Sequence, residues 1–428
     1  NGQSVGGIAI TSAADIAKYG ITFRPNPLGQ YTAADLGLST AAAKGQMDLV
    51  STDFRLPKII RASLAIDKKL KDNWSITVEG SFSKNINEIY YRRLDINPPV
   101  AQLSGPDNRL IYDLKRIGYP AGSGITAGSN PYTGVFLLEN QRYYGRTGYA
   151  YNFTASIDKS WTDGFSFNAF YTYGSSFVTH EPTSSQNNSQ WRFMETVNGR
   201  NDVQRSRSDF DLGHRVSAFI AKKFTYAKGA LASTFSLVYN GQSGNPFSYV
   251  YATGPVRDQG TSETNDLIFI PTADQIKAMT FVTSSPSFPL SPAQQAAALE
   301  DYIAQDNYLS KNRGKYAERN GGRLPFTNII DVKFVQDFNV KLNNKKYQFQ
   351  LTYDVFNFTN MLNRNWGRTY FMSNDQFSII KYQGATGSTT PSYSFSPIAN
   401  NTPWGISSST SPSYSARWVS QLGLRFKF

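Results

Sequence analysis

Cysteine is absent from the 428 residues. That excludes a disulfide framework, a thiolate metal site and a cysteine nucleophile. Histidine is scarce, and the two present, His180 and His214, are too far apart for a multi-histidine zinc site within the chain. Charge is thin at 17% of residues, against roughly a quarter in soluble domains. No apolar run reaches the roughly 18 residues that a helical membrane span needs. The opening residues, NGQSVGGIAI, have neither the charged start nor the apolar core of a targeting segment.

Aromatics are plentiful instead, with 29 Phe and 26 Tyr, and the net charge is +12. Few charges and many rings suit a chain that faces lipid or binds along aromatic surfaces. A modest mean hydropathy does not oppose this, because in a transmembrane β-barrel every second residue faces a polar lumen.

The apolar residues follow a period of two. Tyr347, Phe349, Leu351, Tyr353 and Val355 alternate with Lys346, Gln348, Gln350, Thr352 and Asp354. Strand side chains point to opposite faces in turn, so this segment lies between a greasy phase and a wet one. Trp74, Ile76, Val78 and Phe82 repeat the pattern, as do Tyr149, Tyr151, Phe153, Ala155 and Ile157. So do Leu231, Phe235, Leu237 and Tyr239, and then Ile330, Val332, Phe334 and Phe338. The final segment sets Ala416, Trp418, Leu422, Leu424, Phe426 and Phe428 against Arg417, Gln421, Arg425 and Lys427.

Connections alternate too. Short polar turns fall at 71–73, 162–164, 225–229 and 342–345. Long irregular stretches fall at 97–145, 181–211 and 251–325. Short turns at one end and long loops at the other is the outer-membrane barrel layout. Trp74, Trp161, Phe165, Phe224, Tyr226, Phe338 and Tyr347 crowd the short-turn ends, as an interfacial aromatic girdle requires. A soluble sandwich or propeller is the competing fold, but its outer strand faces would carry more charge.

The expected class is therefore all-β, a transmembrane antiparallel β-barrel. The strands read as 58–70, 74–90, 146–161, 165–178, 212–224, 231–248, 326–341, 346–358, 368–382, 390–397 and 415–428, about 11 in all. Residues 1–56 read as an extracellular loop region, and 57–428 as the barrel portion with its long extracellular loops. An odd count leaves an unpaired edge, costly in lipid. The chain is thus expected to be the C-terminal portion of something larger, with its remaining strands in a separate chain or in further sequence.

Several stretches carry a family resemblance: Val135–Asn140 with Gly148–Asn152, Ser208–Arg215, Tyr239–Tyr249 with Asn265–Pro271, Tyr353–Asn360, and Gln421–Phe428. Together they resemble the C-terminal half of TonB-dependent outer-membrane receptors of the Bacteroidota, especially the Oar-like branch. The resemblance implies a barrel of about 22 strands, of which these would form half, with an N-terminal plug and a TonB box that couples import to inner-membrane energy. It also makes the last strand, with Trp418, Leu422, Leu424, Phe426 and Phe428, the signal read by barrel-assembly machinery. Strand addition to an exposed edge, with alternate side chains giving specificity, is the physical counterpart.

Catalysis finds no support, and no cofactor or metal is expected. Gly241-Gln242-Ser243-Gly244 lacks the spacing of a nucleophile elbow and reads as a turn. His214 reads as an interfacial residue near a loop end. Asp258, Glu263 and Asp266 lack the spacing of a calcium cage. Ser291-Pro292-Ala293-Gln294 opens one short helix in the longest loop, whose apolar face is Ala296, Leu299, Tyr302 and Ile303. The basic run Lys311, Arg313, Lys315, Arg319 and Arg323 is assigned to lipopolysaccharide or anionic solutes rather than nucleic acid. Trp191, Trp366 and Trp404, placed in loops among many Asn, Gln and Ser, suit peptides or glycans.

The expected location is the bacterial outer membrane, with the long loops extracellular and the C-terminus periplasmic. The expected function is energised uptake of a bulky nutrient, a peptide or oligosaccharide, by a TonB-dependent receptor. The alternative is a scaffold whose loops bind surface lipoproteins, secretion factors or other cells. Expected partners are outer-membrane lipid and lipopolysaccharide, the N-terminal barrel half and plug, TonB, the barrel-assembly machinery and a surface lipoprotein.

Overall fold

The protein is described by a computed structural model. It covers residues 46–112, 134–258, 265–282, 290–342, 345–384, 388–398, 402–406 and 416–428, with four isolated positions before residue 46. Most of the expected loop region 1–56 therefore lies outside the described residues, as does part of the 342–345 turn.

Long strands form first because the period-two segments have no other way to separate their two faces. They are β1 (Ile59–Lys69), β2 (Trp74–Asn85), β3 (Tyr149–Ser160), β4 (Phe165–Val178) and β5 (Gly213–Tyr226). β6 (Leu231–Gln242), β7 (Thr327–Leu342), β8 (Lys345–Phe356) and β9 (Val419–Lys427) complete the set. Each pairs antiparallel with the next in a simple meander. The first tight turn shows how the chain reverses. Asp72 and Asn73 adopt φ of 57° and 60°, the paired positive-φ geometry that suits the twist of a hairpin.

Register carries the side-chain alternation across strands. Leu231, Phe338, Phe349 and Phe426 stand in one cross-strand row, and Phe235, Phe334, Tyr353 and Leu422 in another. The opposite face is stitched by polar pairs. Thr77 donates to Asp67 at 2.5 Å, Ser217 to Asn240 at 3.0 Å, Gln350 to Asp337 at 2.8 Å, and Lys333 pairs with Asp354 at 2.8 Å. Most of the large residues in these rows are exposed, Leu422 by 69%, while Leu231 and Phe334 are half-buried. Val355 departs from the expected apolar face by being buried.

The expected count of about 11 barrel strands is corrected in two places. Segment 368–382 yields Tyr370–Phe371 and Gln376–Tyr382, and 390–397 yields Tyr393–Ser394; none of them joins the meander, in which β8 pairs directly with β9. The cause is visible in Ile379-Ile380, adjacent apolar residues that are both buried. A strand covered on both faces loses the alternation of one exposed on a single face. Segments 74–90 and 231–248 also split, at 86–88 and 243–245, into a sheet strand and a separate strand.

Those separate strands belong to a cap built by the long connections at one end of the meander. Pro246–Tyr251 is buried throughout and pairs parallel with Gln376–Tyr382 and antiparallel with Gly322–Arg323. Met47–Val50, expected to be loop, pairs parallel with Val135–Asn140, which also pairs with Ile89–Arg93. The single expected helix has companions: α1 (Asn187–Arg192), α2 (Ala273–Ala278), α3 (Pro292–Gln305) and α4 (Phe358–Leu362). The main hydrophobic core lies here, around Phe247, Tyr249, Tyr251, Ile268, Tyr302 and Phe395. Among the described residues of the meander, the buried hydrophobics are Ala221, Ala232 and Val355. The packed core is in the loops, while the sheet keeps its large apolar side chains outside.

Candidate ligand pocket in the long-loop cap

Helix α3 begins as its sequence directs. Ser291 accepts from the Gln294 amide at 3.3 Å, and the Gln294 side chain accepts from the Ser291 amide at 2.9 Å, a reciprocal cap on two otherwise unpaired N–H groups. Leu299, Tyr302 and Ile303 then enter the core, so the helix packs into the cap. Helix α2 has the same device in Thr272 and Gln275. Its Thr-x-x-Gln spacing is the sequence signal for that helix.

Between α2, α3 and the buried strands lies a cavity of about 290 Å³. Its floor is Tyr251, Ile268, Leu299, Ile303, Ile379 and Tyr393, all buried. Its rim includes Ser104, Gly105, Pro106, Ala278, Thr280 and Thr390, all exposed. Segments far apart in the chain thus contribute one apolar depression with a small-residue, hydroxyl-bearing mouth.

A buried charge cluster holds one wall. Arg109 Nε lies 2.8 Å from Asp107 Oδ1, and the Tyr251 hydroxyl donates to Asp107 Oδ2 at 2.7 Å. The Arg109 guanidinium also donates to the Leu267 carbonyl at 2.7 Å and stacks on Tyr251 and Tyr316, 5.0 and 5.2 Å from their ring centroids. Burial opposes its charge, but the Asp107 carboxylate outweighs that and keeps it protonated. Burial, reinforced by the same carboxylate, raises the Tyr251 phenol well above its usual value. Asp107 enters the pocket wall with both oxygens already engaged.

The neighbouring acids are structural in the same sense. Asp258 accepts from the guanidinium and the backbone amide of Arg200. Asp266 accepts from the Val256 amide at 2.9 Å, and burial lifts its carboxyl to about 6 against the pull of Arg200 and Arg109. Glu263, the third residue weighed for calcium, lies outside the described residues. Among the described residues, no group of three His, Cys, Asp or Glu side chains could hold a metal ion.

The other singled-out residues are dispersed. His214 lies on β5, with its ring 2.7 Å from the Tyr171 hydroxyl. Ser243 accepts from the His214 amide at 2.9 Å and so belongs to the strand-to-loop transition. Gly213 there has φ of 65°. The basic run divides: Lys311 and Lys315 are exposed, and the three arginines are engaged within the protein. Arg313 pairs with Glu300 at 2.6 Å, Arg323 pairs with Asp211, and Arg319 is buried, donating to the Val178 and Thr179 carbonyls at the end of β4. Trp191 is fully buried against Phe136, with its ring 5.4 Å from the Arg93 guanidinium. Trp404 packs on Tyr370, and Trp366 is exposed.

His180, absent from every motif, is buried against Tyr90 and Tyr91, with ring centroids 4.8 and 5.3 Å away. Among the described residues, neither ring nitrogen has a hydrogen-bond partner. Burial, with Arg319 nearby, pushes its imidazole down to about 3.

The terminal strand stands at one edge of the meander, with Leu422, Leu424 and Phe426 on its exposed apolar side and Phe428 94% exposed. Trp418 precedes the strand and is also exposed. Residues 6–391 match the outer membrane beta barrel domain family.

The chain belongs to that family. Comparisons with curated proteins and with solved structures return no match. An outer membrane beta barrel domain crosses lipid with strands, which accords with a fold in which no described helix is long and apolar enough to do so. The exposed apolar face of the meander is thereby the lipid-facing surface, and the chain is an outer-membrane protein.

Proposed function

We propose that this outer membrane beta barrel domain is the barrel portion of a TonB-dependent receptor, of the Oar-like branch of the Bacteroidota, that imports a bulky nutrient. The observation that supports it is the cap: the long connections are packed into a core with an open pocket above a lipid-facing sheet. A passive pore has little use for such a structure. In this reading the long loops are extracellular and the C-terminus is periplasmic.

The sheet's edges support a larger assembly. Among the described residues, β1 and β9 each lack an outer neighbour. Nine antiparallel strands leave β1 and β9 running the same way, so pairing them directly would be parallel. An all-antiparallel closure needs an odd number of further strands. A separate chain or further sequence supplies them, and with them the plug and the TonB box. A surface lipoprotein would meet the cap.

The second reading, a scaffold for surface lipoproteins, secretion or adhesion, draws on the same cap. Ligand accumulation in cells with and without proton-motive force separates the two. Uptake that stops on de-energisation is expected. Normal surface binding with no energised accumulation would favour the scaffold.

A further inference from the structure

We propose that the cap pocket recognises a peptide through one large, uncharged, apolar side chain. This rests on the receptor reading and assigns its substrate class.

The floor decides against sugars and charged groups. Of the floor residues, Ile268, Leu299, Ile303 and Ile379 carry no polar side-chain atom, and the Tyr251 hydroxyl is spent on Asp107, which leaves the Tyr393 hydroxyl as the polar side-chain group there. The one carboxylate in the wall, Asp107, already accepts from Arg109 and Tyr251. Gln275 has its side-chain oxygen occupied by the Thr272 amide at 2.8 Å. A sugar, with a hydroxyl on nearly every carbon, would surrender most of its water contacts on this floor, and an ionised group would lose far more. An aliphatic or aromatic side chain loses nothing polar and gains burial.

Size and rim point the same way. The cavity measures about 290 Å³. That is room for a large side chain, and it lies at the lower limit of roughly 300 Å³ for whole-ligand sites. At the mouth, the exposed Ser104, Thr280 and Thr390 carry hydroxyls. These can meet the amide groups of a backbone that stays outside while its side chain enters.

The test uses the assembled outer-membrane protein in lipid nanodiscs, because detergent tails would compete for an apolar pocket. The probes are Gly-Gly-Leu-Gly-Gly, Gly-Gly-Ala-Gly-Gly, maltotriose and octanoate, followed by ligand-observed saturation-transfer NMR with empty nanodiscs as control. Saturable contact through the leucyl methyls is expected, with the alanyl peptide roughly tenfold to a hundredfold weaker. Ala278→Trp, which fills the mouth from an exposed helix position, should abolish the leucyl signal. A separate Thr390→Trp should weaken it without disturbing α2.

Equal binding of the leucyl peptide to wild type and Ala278→Trp would overturn the proposal. So would saturable binding of maltotriose, or of octanoate in preference to the leucyl peptide. Binding in nanodiscs does not depend on proton-motive force. The peptide assignment can therefore fail while energised uptake stands, or hold while uptake proves absent.

Discussion

Phe349 and Phe426 face each other across the β8–β9 ladder, with ring centroids 4.5 Å apart and planes tilted by 34°. The pair ties the terminal strand to the body of the sheet on its lipid side. Offset aromatic pairs contribute about 0.5–1.5 kcal/mol beyond the area they bury. A double-mutant cycle with Phe349→Leu and Phe426→Leu, read by urea unfolding from lipid vesicles, should return a coupling energy in that range. Strict additivity would mean that the rings pack independently.

Phe428 has a different expected role. It is almost wholly exposed at the open edge, so it contributes little packing within this sheet. As part of an assembly signal it should matter in the cell. Deleting Phe428 is expected to lower surface levels several-fold while leaving the urea midpoint of refolded protein unchanged. Wild-type surface abundance of the truncated protein would reject the signal.

Adjacent positions on β6 should respond oppositely to charge. Leu237 belongs to the lipid-facing row, and Ser236 points to the other face. Leu237→Arg is expected to destabilise by about 2–4 kcal/mol, the cost of a cation near the bilayer midplane. Ser236→Arg should change stability by less than about 1 kcal/mol. The same unfolding measurement compares them.

Two buried groups give the cap opposing pH responses. The His180 imidazole is depressed to about 3, so between its unfolded value near 6.5 and 3 the unfolded chain binds the extra proton. His180 therefore makes the cap less stable as pH falls through that window. Asp266 is raised to about 6, so from its unfolded value near 3.9 up to 6 the folded chain holds the extra proton. Asp266 costs stability as pH rises through that window. Relative to wild type, His180→Phe should gain melting temperature on going from pH 7 to pH 4, and Asp266→Asn should gain it on going from pH 4 to pH 7. Fluorescence of Trp191, buried in the cap, follows the transition in a background with the other five tryptophans replaced by Phe.

The absence of cysteine makes topology directly measurable. A single cysteine at exposed Thr390 in the cap should react with a membrane-impermeant maleimide on intact cells. One at exposed Asp163, in a short turn, should react only after the outer membrane is opened. The reverse pattern would invert the proposed orientation.

The sheet is legible in the sequence because lipid enforces a strict rule. Each side chain on β8 faces one phase or the other, so Tyr347 through Tyr353 announce the strand, and the short turns mark its end. The α3 cap was legible for a local reason, since Ser291 and Gln294 satisfy each other within one turn. The cap core was not. Arg109 and Tyr251 meet on Asp107 across a sequence separation of 144 residues for the tyrosine, and neither lies in a periodic or capped segment. Gln376–Tyr382 reads as a barrel strand in the sequence because it has the apolar content of one, but its adjacent Ile379 and Ile380 are both buried and so break the alternation.

Alternation and turn chemistry by themselves therefore determined that the chain makes a membrane sheet, which strands are joined by short turns and which face is greasy. These are consequences of nearest-neighbour geometry and of two contrasting solvents. Which connections pack together, where the buried ion pairs form and what shape of pocket they leave were decided only by the tertiary structure. Those outcomes depend on long-range contacts whose partners carry no local signature, and on desolvation, which exists only once the loops have closed over one another.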